Sequence, residues 1–184
     1  MIPKVIRDPQ ALKSNESGVI QDKSNIHNDA EAHNNLGVAY HVRGQIDVAI
    51  NEYKNAITIN PNLADAHSNL GVAYYTRGNV DRAIKEWKEA LRISPSLAQP
   101  HYNLAVAAKA EGNLDGAATE LENALNIEPN DADTTFSLAE TYQSQGKPRK
   151  ALDFYKRFIE LASAKDADYV KVAEDRISRL KGET

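Results

Sequence analysis

The sequence predicts an all-α array of repeated helix pairs, and three observations carry that prediction. The same residues return every 34 positions: Leu36, Leu70, Leu104 and Leu138; Gly44, Gly78, Gly112 and Gly146; Ala49, Ala83, Ala117 and Ala151; then Pro61, Pro95 and Pro129. Each period holds two stretches with apolar residues at helical spacing. A glycine lies between the two stretches and a proline follows the second in the first three periods. A unit of this length cannot bury its own apolar face, so it must stack on its neighbours and build a core along one direction. Function is therefore expected on a long surface and not in a pocket.

The elements follow in chain order. The segment 1–28 mixes Pro3, Pro9, Gly18 and many polar residues with scattered Ile2, Val5, Ile6, Val19 and Ile20, and reads as an extended or weakly ordered arm. Four units then run over 30–63, 64–97, 98–131 and about 132–165. Their first helices carry Leu36, Ala39 and Tyr40; Leu70, Ala73 and Tyr74; Leu104, Ala107 and Ala108; Leu138, Thr141 and Tyr142. The glycine after each first helix sits where a left-handed C-terminal residue is needed, so Gly44, Gly78, Gly112 and Gly146 are helix stops. Second helices carry Ala49, Ile50, Tyr53, Ala56 and Ile57, then Ala83, Ile84, Trp87, Ala90 and Leu91, with the alanines marking close helix approach. Asn28, Asn62, Ser96 and Asn130 are expected N-caps, and Glu31, Asp65, Gln99 and Asp133 three residues on complete a capping-box-like arrangement. Pro148 falls in the first turn of the last second helix, where it is tolerated. An apolar stripe of Tyr169, Val172, Ala173, Ile177 and Leu180 predicts a terminal capping helix over 166–181.

This pattern resembles the tetratricopeptide repeat (TPR). The second unit matches its motif with Leu70, Gly71, Tyr74, Gly78, Ala83, Trp87, Ala90 and Pro95, and the resemblance covers roughly 29–164. It implies a right-handed solenoid of antiparallel helix pairs whose first helices line a concave groove. The fourth unit departs from the motif with Ser137, Ala139 and Pro148.

Composition narrows the function. The 184 residues are 41% hydrophobic and 26% charged, with a net charge of -4 and a pI near 5.7. That lacks the basic excess a phosphate backbone requires, so no nucleic-acid partner is expected. No apolar run is long enough to cross a bilayer, and 1–28 has no signal-peptide core. There is no cysteine, which removes disulfides, thiol nucleophiles and thiolate metal sites and fits a cytoplasmic protein. No G-x-S-x-G, Walker loop, H-E-x-x-H or dinucleotide fingerprint occurs, so neither an enzyme nor a cofactor is expected.

The candidate site is a column of amides one residue before the repeat leucine: Asn35, Asn69 and Asn103, continued by Ser137. Whole-repeat spacing puts them on equivalent turns of successive first helices, roughly 10 Å apart. Carboxamides both donate and accept, so such a ladder can pair with the backbone of an extended peptide; the same amides can instead bond locally. The column is similar to the Asn ladder of O-GlcNAc transferase superhelices, which implies backbone capture. Family geometry also turns inward Glu31, Asp65, Gln99 and Asp133; Asn34, Ser68, Tyr102 and Phe136; Val38, Val72 and Val106; and His41, Tyr75 and Lys109. Tyr75, Tyr102 and Phe136 would anchor apolar side chains, and the acidic edge favours a peptide bearing Lys or Arg over an acidic one. The acids serve equally as helix-start residues. The two-carboxylate clamp of some TPR co-chaperones would fall on Asn34, Val38, Asn69, Gln99 and Asn103, of which only Asn69 matches. A second column, His33, His67 and His101, reads as packing, because sites one repeat apart cannot share an ion whose ligands lie about 2 Å from it.

The resulting expectation is a non-catalytic adaptor that binds a peptide segment of a partner protein. Its alternative is a self-assembling scaffold, a homo-oligomer that uses the arm or the terminal helix. Neither reading inserts directly into a membrane.

Overall fold

The computed structural model describes residues 23–183, in which helices are joined by short turns. Helices α1 (Lys23–Val42), α2 (Ile46–Ile59), α3 (Ala64–Thr76), α4 (Val80–Ile93), α5 (Ala98–Ala110), α6 (Leu114–Ile127), α7 (Ala132–Ser144) and α8 (Pro148–Leu161) precede a 3₁₀ turn (Ala164–Asp166) and α9 (Ala167–Glu183). No strand occurs among the described residues. Helix α1 begins inside the segment assigned to the arm, so Asn28 lies within a helix and does not open one. The rest of the expected arm, 1–22, falls outside the described residues.

The chain divides into two compact units, one reaching to Asn103 and one starting at Leu104, with the division inside α5. In the first unit α1 packs on α2, α2 on α3 and α3 on α4, and α1 also touches α3. Its core is built by pairing a missing side chain with a large one. A Cβ at Gly71 would lie 2.4 Å from Trp87 Nε1, and one at Gly37 would lie 2.6 Å from Tyr53 Cε1. Trp87 and Tyr53 are thereby completely buried against the first helix of their own pair. Ala49, Ala56, Ala83 and Ala90 are buried as well, which fits their expected place at close helix approaches.

In the second unit α6 packs on α7, α7 on α8, and α8 on α9, with the 3₁₀ turn against α9. Leu121, Leu138, Tyr155, Phe158, Ala173 and Leu180 form its core. Pro148 is the first residue of α8, as its fixed φ and missing N–H allow. The terminal helix starts one residue later than the sequence suggests. Asp166 instead closes the 3₁₀ turn, where its carboxylate accepts from Ser163 N and Ser163 Oγ, both at 2.8 Å. The apolar stripe of α9 is also narrower than expected: Ala173 and Leu180 are buried, but Tyr169 and Val172 are exposed.

The helix stops follow the sequence, whereas the expected caps Asn62 and Asn130 do not cap. Gly78 has φ +78°, Gly78 N donates to Tyr75 O at 2.9 Å, and Asn79 N donates to Tyr74 O at 2.9 Å, which closes α3 as a Schellman turn. Gly44, Gly112 and Gly146 repeat the positive φ. Nothing lies within 4 Å of a Cβ at Gly78, so the cost of a side chain there is a backbone cost alone. Gly78→Ala is expected to lose about 1–2 kcal/mol of stability in urea unfolding without changing the helical circular dichroism spectrum. At the starts, the cap of α3 is Leu63, which makes no side-chain cap bond. Asn62 stands one residue before that cap, in a turn after Pro61 that Asn60 holds: Asn62 N donates to Asn60 Oδ1 and Leu63 N to Asn60 O, each at 3.1 Å. Helix α7 is capped by Asp131, not Asn130, its carboxylate accepting from Thr134 N at 3.1 Å.

Candidate functional site

The amide column is placed by α1, α3 and the start of α5, all in the first unit. Asn35 is half-buried, but Asn69 and Asn103 are completely buried. Asn69 Nδ2 donates to Asn34 Oδ1 at 3.0 Å, a bond from α3 to α1 that matches the direct packing of those two helices. The column thus spends at least one of its amides tying successive first helices together, the local bonding that the sequence left open. Buried in this way, Asn34, Asn69 and Asn103 present no ladder to solvent.

The apolar members divide in the same manner. Val72, Tyr102 and Val106 are buried, whereas Val38 and Tyr75 are half-exposed. Phe136 is a core residue of the second unit and not a groove anchor. Its ring meets Tyr155, Phe158 and Tyr169 edge-on at centroid distances of 5.7, 4.9 and 5.4 Å, so α8 and α9 cover it. Glu31 and Asp133 are exposed, Asp65 and Gln99 half-buried. His41 is half-buried, its Nδ1 has no hydrogen-bond partner among the described residues, and burial lowers its pKa.

The histidine column packs, and it does so in a patterned way. His33 Nδ1 lies 2.6 Å from Glu52 Oε2, and His67 Nδ1 lies 2.7 Å from Glu86 Oε2, each pair joining the first helix of a repeat to its second. His67 Nε2 also faces Pro61 O at 3.1 Å. No group of three or more possible metal ligands occurs among the described residues.

The second unit holds a polar pocket of about 380 Å³ lined by Lys109, Glu140, Gln143, Ser144 and Arg176. The end of α5, the last turns of α7 and the middle of α9 converge here. Lys109 Nζ stands 3.4 Å from Glu140 Oε2. Gln143 Oε1 accepts from Tyr155 Oη at 2.8 Å and faces Arg176 Nη1 at 3.4 Å. Burial, with the Glu140 charge, pushes the Tyr155 phenol up to about 12 against the opposing effect of Arg176, so the hydroxyl remains a donor at neutral pH.

Of these five residues, only Lys109 is among the sequence candidates. Glu140 stands at the repeat position of Val38, Val72 and Val106, and Gln143 at that of His41, Tyr75 and Lys109. The repeat register alone was sufficient to find both. Arg176 lies beyond the repeats, and only the packing of α9 on α8 brings it to the pocket.

Family models described as TPR repeat match residues 39–78 and 73–110, and one described as tetratricopeptide repeat matches 108–171. Among solved structures, a crystal structure of MamA is 24% identical with a TM-score of 0.66, covering 76% of this chain and 81% of that one. TTC0263, a thermophilic TPR protein of Thermus thermophilus, is 25% identical with a TM-score of 0.68, covering 81% of each chain. The structure titled MamA MSR-1 C2 is 26% identical with a TM-score of 0.59, covering 72% of this chain and 76% of that one. No curated protein matches.

Proposed function

This chain belongs to the tetratricopeptide repeat family, and from that premise we propose that it is a non-catalytic adaptor that binds a peptide segment of a partner protein along its first helices. The observation that carries the reading is the exposure pattern. First helices held in place by buried amides and glycine–aromatic packing leave Asn35, Val38 and Tyr75 partly open, with Glu31 and Asp65 beside them. A prearranged surface binds without the cost of ordering itself, and half-exposed apolar groups flanked by polar ones suit a protein segment. In this reading Asn35 offers the amide that meets the ligand backbone, while Asn69 acts behind it by holding Asn34.

Selection of peptides from a display library against the full chain, followed by calorimetric titration, tests the proposal. Asn35→Arg and Val38→Arg together are expected to weaken the selected peptides at least tenfold while the melting curve stays within a degree or two of wild type. Unchanged affinity in that double variant removes this face from the mechanism.

A second reading, self-assembly, is favoured by Leu36 and Val48, which are 42% and 40% exposed on α1 and α2. In the later repeats the residues corresponding to Leu36, namely Leu70, Leu104 and Leu138, are all buried. A large apolar side chain left open at a repeat position is what an end-on contact between copies would cover. Light scattering over a range of concentrations decides it: a Leu36→Glu variant with the same mass as wild type at every concentration ends this reading.

A further inference from the structure

We propose that the pocket of the second unit receives a carboxylate of the bound segment, an Asp or Glu side chain or a C-terminal carboxylate, with Arg176 as its principal partner. This rests on the adaptor reading and specifies the ligand chemistry at one place on the surface.

Donors outnumber free acceptors around the cavity. Lys109 and Arg176 bring two permanent cations against the single carboxylate of Glu140, and that carboxylate stands with Lys109 at 3.4 Å. Among the described residues Arg176 makes no ion pair, and its one polar contact is the 3.4 Å approach to a neutral amide oxygen, Gln143 Oε1. That oxygen is already taken at 2.8 Å by the Tyr155 hydroxyl. A guanidinium has five N–H donors in a planar fork, so most of this fork faces no acceptor.

The remaining groups point the same way. With its oxygen turned to Tyr155 and Arg176, Gln143 has its NH₂ left to donate, and Ser144 adds a hydroxyl. The half-enclosed volume of about 380 Å³ is walled by an Arg fork, an ammonium, an amide NH₂ and a hydroxyl, and its one carboxylate, Glu140, stands with Lys109, which leaves the Arg176 fork without an anionic partner. A carboxylate matches the fork in two parallel N–H···O bonds, the geometry that distinguishes Arg from Lys. The sequence suggested the opposite preference, because the acids of the first turns are visible in the chain whereas Arg176 reaches the pocket only through the packing of α9.

The test uses the full chain, ¹⁵N NMR and two defined probes: an acetylated Asp-Glu dipeptide with an amidated C-terminus, and the same dipeptide with a free C-terminus. Saturable shifts at the amides of Gln143, Ser144 and Arg176 are expected with the acidic dipeptide and not with Asn-Gln. Arg176→Gln should weaken the response at least fivefold, Arg176→Lys should restore part of it, and Glu140→Gln should strengthen it by removing the like charge. Equal affinity of the two probes assigns the pocket to side-chain carboxylates, and a stronger free-terminus probe assigns it to a chain end. Absence of saturable shifts, or a response indifferent to Arg176→Gln in a variant with wild-type melting, overturns the proposal. Library peptides that bind through Asn35 and Val38 but ignore Arg176→Gln would sink this inference and leave the adaptor reading standing. Dipeptide binding without any selected peptide would do the reverse.

Discussion

Replacing Trp87 by alanine is expected to cost about 3–5 kcal/mol of folding free energy, the range for emptying a large aromatic site that cannot collapse. Trp87 is completely buried, its Nε1 donates to Ser68 O at 3.2 Å, and its ring lies 5.8 Å from that of Tyr75. The cavity cannot close easily, because the wall opposite the ring is the backbone of α3 at Gly71, which has no side chain to swing in. The same geometry predicts a coupling. In the wild-type background Gly71→Ala should cost about 1–3 kcal/mol, since its Cβ would stand 2.4 Å from Trp87 Nε1. In the Trp87→Ala background that penalty should vanish or reverse. A urea-denaturation cycle of the two single variants and the double variant measures the coupling, and additive effects would mean that the two positions do not share this contact. Because a repeat array unfolds in segments, the same cycle followed by hydrogen exchange should locate the loss in α3 and α4.

A second large effect is expected at the His67–Glu86 pair and is pH-dependent. Burial alone would push the His67 imidazole down, but the Glu86 hydrogen bond, the Pro61 carbonyl and the charges of Glu86 and Glu89 together raise it above its ordinary value. Of these carboxylates Glu89 is itself held by Arg92, at 2.8 Å, so Glu86 is the closer and freer partner. The geometry explains the direction. Both ring nitrogens face acceptors, Glu86 Oε2 at 2.7 Å and Pro61 O at 3.1 Å, so the doubly protonated ring satisfies both and a neutral tautomer leaves one without a proton. A group whose pKa is raised on folding stabilises the fold fully below its unfolded value, about 6.5, and loses that contribution as pH rises through the folded value. Wild-type stability relative to Glu86→Gln should therefore be larger at pH 6 than at pH 8, by at most about 2 kcal/mol, the linkage limit over that interval for one imidazole of ordinary unfolded pKa.

His41 opposes this trend, because burial lowers its pKa and its protonation in acid disfavours the fold. The comparison with Glu86→Gln cancels that opposing effect, since His41 is unchanged in both proteins. The equivalent His33–Glu52 pair, with His33 37% exposed, should contribute less to stability because solvent screens it. A pH-independent difference between wild type and Glu86→Gln would show that His67 is packed as a neutral ring.

The features that followed directly from the sequence are the local ones. A helical period, a glycine with positive φ at the end of each first helix, and alanines at close approaches are written in single residues, so Gly78, Ala83 and Ala90 did what their positions suggested. The starts of helices were less legible. A capping side chain competes with other local bonds, and Asn60 took the turn that Asn62 was expected to serve.

Exposure was the least legible property, because it belongs to the neighbours of a residue and not to the residue. The repeat register makes Leu36 and Leu138 equivalent, yet the first is 42% exposed and the second completely buried, since their surroundings differ. Helix α9 covers Phe136 through Tyr169 and carries Arg176 to the pocket, and neither placement can be read from the residue itself. The helix pairs, their period, their stops and the residues that share a register are all written in the chain. Which of those registered side chains are spent between helices, which face solvent, and where charges from different helices meet depend on the packed fold. The physical reason is that helix formation and termination depend on residues within a turn of one another, whereas burial and charge pairing depend on chain segments that meet only when the repeats stack.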